Sequence, residues 1–117
     1  MNSKLEEISI QRKLAHTKLL ANASKVYDCF LTMERIAYAD GALSKKHKEL
    51  IGLGIALVED CEAGMQWHVE QARIAGASFE ELLETIEVAI EMGGGRAVVA
   101  SRFALEVMES IGVKPSR

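Results

Sequence analysis

Proline is nearly absent from this chain of 117 residues, Pro115 being the one present, while hydrophobic residues make up 49%. That balance suits one compact domain over residues 1–117, able to bury its own core and too short for a second. Cationic excess is absent as well. The 14 lysines and arginines stand against 17 aspartates and glutamates, for a formal charge of −3 and a pI near 5.6. A nucleic-acid partner is therefore not expected, and Lys45, Lys46 and Lys48 read as a solvated helix start. Long hydrophobic runs are missing. The longest, Leu50 to Val58, has nine residues, against roughly 20 for a membrane span. Lys4, Glu6, Glu7, Arg12 and Lys13 break any apolar segment of a secretion signal, so the expected location is cytoplasmic, with no membrane partner. Cysteine is scarce: Cys29 and Cys61, in a reducing compartment, are expected as thiols rather than as a structural disulfide.

Strand patterns are lacking too, since no window alternates strictly or is rich in β-branched residues. The expected fold class is all-α, with about six helices and no internal repeat. Ser3 with Glu6 forms a capping box for a helix over 3–20, and the small residues 21–24 interrupt it. A second helix runs to about Ala39, with Val26, Cys29 or Phe30, Met33 and Ala37 at helical spacing before Asp40-Gly41. Ser44 caps a third through about Glu59. It is apolar nearly all round after Glu49, the pattern of a helix enclosed by its neighbours. Asp60 is the expected cap of a fourth, from Cys61 to about Ala75, with Gly76 as its stop. Ser78 and Glu81 make a capping box for a fifth, ending near Met92. After Gly93-Gly94-Gly95 a sixth carries Val98, Leu105, Met108 and Ile111 and ends at Gly112.

Chemistry gathers in one place, the spacing E-x11-C-x6-H formed by Glu49, Cys61 and His68. Wound at about 100° per residue, the fourth helix puts Cys61, Met65, His68 and Ala72 within roughly 40° of one another. Thiol and imidazole are thus expected on its buried stripe, with Glu62, Gln66, Glu70 and Arg73 on the polar side. A further stripe of Ala63, Trp67 and Ile74 suggests a second neighbour, such as another subunit. Unpaired N–H groups in the first turn favour a thiolate at Cys61, and Asp60 and Glu62 oppose it by repulsion. The alternative for Cys61 is a small buried hydrophobe. A buried imidazole needs a partner. Glu49 supplies one if the third and fourth helices pack antiparallel; otherwise it is a solvated first-turn carboxylate, and His68 a core histidine bonded elsewhere.

Seven helical residues span about 10 Å, so Cys61 and His68 do not meet directly. Gly64, one turn from each, leaves room for water or substrate, or allows close helix packing, at about 1 kcal/mol in helix propensity. No metal is expected, because that separation makes shared coordination awkward and His16 and His47 have no helical partner ligand. Nor is a cofactor: the three glycines follow a helix rather than a strand, unlike a phosphate loop.

At these residues the chain resembles the carboxymuconolactone decarboxylase family, within it the alkylhydroperoxidase D-like branch, marked by a glutamate, C-x-x-C and a histidine at this spacing. The resemblance runs from about residue 30 to 108. It passes through Ala39-Asp40-Gly41-Ala42-Leu43-Ser44, Gln66-Trp67-His68-Val69, Ala75-Gly76-Ala77-Ser78 with Glu80-Glu81, and Met92-Gly93-Gly94-Gly95. It implies an all-α fold assembled as homotrimers or homohexamers, a relay glutamate at Glu49, the first cysteine at Cys61 and a relay histidine at His68. Gly64 stands where that branch carries its second, peroxide-attacking cysteine. The two-cysteine cycle is therefore closed to this chain, and Cys29, on another helix, does not match the missing position.

Three functions remain open. In the first, an antioxidant oxidoreductase with peroxiredoxin-type activity, Cys61 reduces a peroxide or related electrophile and is recycled by an external thiol reductant. Glu49 and His68 then relay the proton through water. In the second, a decarboxylase-like lyase or isomerase acts on a small carboxylated ring or lactone, with His68 moving the proton, Glu49 orienting it, and Arg73 or Arg96 as candidates to hold the carboxylate. The third is a non-catalytic oligomeric binding module that has kept the pocket. A small-molecule substrate belongs to the first two, and further copies of the chain to all three.

Overall fold

The computed structural model describes residues 3–116, which form six α-helices and no strand: α1 Ser3–Ala21, α2 Lys25–Tyr38, α3 Lys45–Val58, α4 Glu62–Ile74, α5 Phe79–Gly93 and α6 Gly95–Ser110. The fold class is all-α, with every helix within a few residues of its expected bounds. The chain divides into two compact units, one up to Ala39 and one from Asp40 onward.

In the first unit α1 closes on Ala23, whose φ of 52° lets the amides of Ala23 and Ser24 return to the Leu20 and Leu19 carbonyls. Ser24 then caps α2, its hydroxyl accepting the Tyr27 amide at 3.1 Å. His16 and Tyr27 join the two helices through a side-chain hydrogen bond and an edge-on ring contact. The capping box expected from Ser3 involves a side chain outside the described residues. Val26, Phe30, Met33 and Ile36 follow the helical period of α2, yet the helix has no buried residue and these four stand exposed.

The second unit holds a core in which Leu53 and Leu57 of α3, Met65 and Val69 of α4, Leu82 of α5 and Val107 and Met108 of α6 are almost fully out of water. Each such side chain contributes on the order of 2 kcal/mol of transfer free energy. α3 is the centre, packing on α4, α5 and α6. It is not enclosed, however: Ile51, Ile55 and Val58 are exposed. With Val88 and Met92 of α5 they line an open apolar groove of about 720 Å³. One face of α3 is therefore open along this groove.

The helix ends follow the expected signals with one exchange of roles. Ser44 caps α3, and Ser78 with Glu81 forms the complete reciprocal box at the start of α5. Gly76 (φ 100°) closes α4, and Gly112 (φ 76°) closes α6. Gly93 permits the tight junction of α5 with α6, because a Cβ there would lie 2.9 Å from that of Ala97. The exchange occurs between α3 and α4. Cys61, not Asp60, is the N-cap of α4.

Candidate functional site

The turn from α3 to α4 determines where the thiol sits. Asp60 takes φ 57°, a left-handed conformation that aspartate tolerates better than most residues. Its amide bonds to the Leu57 carbonyl at 3.2 Å, and the Cys61 amide to the Ala56 carbonyl at 2.9 Å. This pair of bonds ends α3 as a Schellman motif. Asp60 is occupied as the reversing residue and cannot cap α4, so the role passes to Cys61, whose Sγ accepts the Gly64 N–H at 3.3 Å. Cys61 is exposed rather than on a buried stripe.

The buried arc of α4 is turned from its expected place. Met65, Gln66, Val69 and Ala72 face inward, which centres the arc roughly 60° or more away from His68 on a helical wheel. Gln66, expected among the polar residues, is 4% exposed. Cys61 and His68 therefore sit at the rim of the arc. Ile74, on the further stripe, is 77% exposed in the single chain.

Glu49 and His68 come together. Position 64 of α4 faces Ala56 while His68, further along α4, meets Glu49, further back along α3, so the two helices run antiparallel. The Glu49 carboxylate is 2% exposed, and its Oε1 lies 2.8 Å from Nδ1 of the half-buried His68. Its other oxygen, Oε2, accepts from Lys45 Nζ at 2.7 Å. An ionised carboxylate is an acceptor only, so against an ionised Glu49 the His68 Nδ1 would carry the hydrogen and donate it. In the neutral ring the lone pair then belongs to Nε2.

Lys45 was not expected here. It stands at the helix start, 40% exposed, and in addition pairs with Glu49 one turn on, for which the i, i+4 spacing was the signal. The Asp40 carboxylate, through Oδ1, accepts the Lys45 backbone N–H at 2.7 Å and fixes the start of the helix. Lys46 pairs instead with Glu81 at 2.8 Å. Of the arginines considered, Arg73 donates to the Ala77 carbonyl at 2.9 Å and braces the turn into α5, and Arg96 is exposed.

Gly64 is a packing glycine. A Cβ built there would lie 3.1 Å from the Ala56 Cβ and 3.2 Å from Cys61 Sγ, so two helices and a sulfur already fill the space expected for water or substrate. Cys29 is exposed on α2, in the other unit. Among the described residues no three histidine, cysteine or acidic side chains group as metal ligands, and no helix is long and apolar enough to cross a membrane.

The likeness to known proteins covers both sequence and fold. A protein of Paracoccus denitrificans named "uncharacterized protein 4 in cox locus" is 39% identical over 88 residues, 75% of this chain and 79% of that one. An uncharacterized protein of Cupriavidus necator is 32% identical over 82 residues, 70% of this chain and 73% of its own. Among solved structures, a carboxymuconolactone decarboxylase family protein from Legionella pneumophila superposes with a TM-score of 0.88 at 31% identity, covering 93% of this chain and 97% of that one. A family member from Thermotoga maritima, described as a candidate participant in the antioxidative response, gives 0.81 at 26% identity over 90% of this chain and 89% of its own. Residues 24–107, which include the whole Glu49, Cys61 and His68 site, match the family's sequence model, and the chain belongs to the carboxymuconolactone decarboxylase family.

Proposed function

We propose that this protein is a thiol-dependent oxidoreductase that reduces peroxides through one cysteine, Cys61. The observation that carries this is the placement of Cys61: an exposed sulfur at a helix N-cap, oriented by the Gly64 N–H, on the same helix as a histidine already bonded to a buried glutamate. The thiolate is the attacking form. It attacks the terminal oxygen of a hydroperoxide, the O–O bond breaks, and the sulfur becomes a sulfenic acid while the departing alkoxide takes a proton. Nε2 of His68, with Glu49 holding the ring, accepts the proton of the Cys61 thiol through solvent at the exposed end of α4 and returns it to that alkoxide. Two equivalents of an external low-molecular-weight thiol then return the sulfenic acid to the thiol, giving a disulfide and water. The description of the Thermotoga maritima protein supports an antioxidant role.

Stoichiometric peroxide should leave a sulfenate on Cys61, trapped by a dimedone-type reagent and located by mass spectrometry, and turnover should require added thiol. A Cys61 that stays unmodified while peroxide persists overturns the proposal.

A second function is favoured by one feature, the completeness of the Lys45, Glu49 and His68 chain without any thiol. As a lyase or isomerase the protein would use Nε2 of His68 to move a proton on a small carboxylated substrate. Full activity in Cys61→Ser selects this function over the first. Either form is proposed to work as a homo-oligomer, supported by the apolar side chains left uncovered on α2 and along the α3 and α5 groove.

A further inference from the structure

We infer that Lys45 is a positioning residue of this site: its ammonium keeps Glu49 an acceptor-only carboxylate and thereby holds His68 with its hydrogen on Nδ1 and its lone pair on Nε2. The inference rests on the proton-transfer role proposed for His68, which both functions share.

Glu49 is 2% exposed, and each of its oxygens has a strong partner, His68 Nδ1 at 2.8 Å and Lys45 Nζ at 2.7 Å. A carboxylate that deep is costly unless its charge is matched. Two groups can match it, and the choice determines what His68 can do. If the imidazole alone supplied the positive charge, the ring would stay an imidazolium with no lone pair to accept a proton. If the carboxyl took up a proton, its O–H would donate to Nδ1 and turn the ring to the opposite tautomer. The Lys45 ammonium removes both alternatives, because it balances the charge from the Oε2 side and leaves Oε1 to the ring. The ring can then be neutral, with Nδ1–H directed at Oε1.

Lys45 is suited to this by its position. It is the first residue of α3, its backbone N–H is fixed by Asp40, and Glu49 lies four residues on, on the same face. Its side chain is 40% exposed, so the ammonium keeps part of its hydration while the carboxylate loses nearly all. The adjacent Lys46 carries the same charge but is directed to Glu81. It serves as an internal control.

The test is nitrogen NMR of the His68 ring at neutral pH in full-length protein, with circular dichroism to verify the fold. The parent, Lys45→Arg and Lys46→Met should each show a protonated Nδ1 and a pyridine-like Nε2. Lys45→Met should lose that signature, with the proton moved to Nε2 or both nitrogens protonated. Lys45→Gln, which retains a donor for Oε2 without the charge, should lose it too and replaces Lys45→Met if that variant does not fold. A parental ring signature in folded Lys45→Met or Lys45→Gln, or an equal change in Lys46→Met, overturns the inference. The readout is independent of turnover. A changed ring in a protein that proves inactive on peroxide leaves the positioning role standing and removes the proposed chemistry, whereas turnover with an unchanged ring does the reverse.

Discussion

At position 64 the difference between glycine and cysteine is geometric as well as chemical. A Cβ built there would lie 3.6 Å from the Cβ of Cys61, within the separation of about 3.5–4.5 Å found across disulfides. The obstacle is Ala56, whose Cβ would be only 3.1 Å away. Gly64→Cys should therefore form a disulfide between Cys61 and the introduced thiol under mild oxidant, read as the loss of two titratable thiols that reductant restores. Adding Ala56→Gly should raise the yield by removing the close contact. A Gly64→Cys protein that keeps all its thiols under oxidant, with and without the Ala56 change, would contradict this geometry. The residue types at the site were legible in sequence because an acid, a thiol and an imidazole stand out by themselves. The hydrogen bond between Glu49 and His68 followed conditionally, requiring antiparallel helices. The contribution of Lys45 was hidden because a lysine in a first helical turn is usually solvated, and only the burial of Glu49 gives it another role.

Among the elements, the helix ends are legible in the sequence and their junctions less so. Ser44, Ser78 with Glu81, Gly76 and Gly112 act as expected because capping is a local matter of a hydroxyl, a carboxylate or a missing Cβ. The α3 to α4 turn differed, since Asp60 suits both an N-cap and a left-handed reversal, and only the path of the chain selects between them. The α5 start carries a pH-dependent contribution. Glu81 is held below its ordinary carboxylate value of 4.5, chiefly by the hydrogen bond from Lys46 and then by the Ser78 backbone N–H. A carboxylate lowered on folding adds stability above its unfolded value and loses it as pH falls through the folded one. The thermal midpoint of Glu81→Gln should thus lie below that of the parent at pH 7. The gap should close as acid protonates Glu81, and high salt should narrow it, because the side chain is 36% exposed. A gap independent of pH would assign the effect to packing instead.

On the scale of the whole molecule, apolar surface exceeds what one chain can bury. Val26, Met33 and Ile36 of α2, Ile51 and Ile55 of α3, and Val88 and Met92 of α5 are each at least half exposed. Those of α3 and α5 line one groove, and contiguous apolar surface of this kind marks an interaction site. The proposed homo-oligomer gives it a purpose, and light scattering should find a trimer or hexamer at micromolar concentration. Ile55→Glu, which puts a charge into the α3 and α5 groove, should shift the mass toward the monomer while the helical signal persists. A parent protein that is monomeric under these conditions would rule the assembly out.

Helix number, helix type and most caps were determined by the sequence alone, because periodicity and capping are local properties that neighbouring residues carry in full. Which face of α4 turns inward, which residue caps it, what fills the space at Gly64 and which cation holds Glu49 were decided only by tertiary structure. Those outcomes depend on distances between helices: a shift of the buried arc by less than one residue's rotation moves Cys61 from the core to the surface, and no local pattern records it.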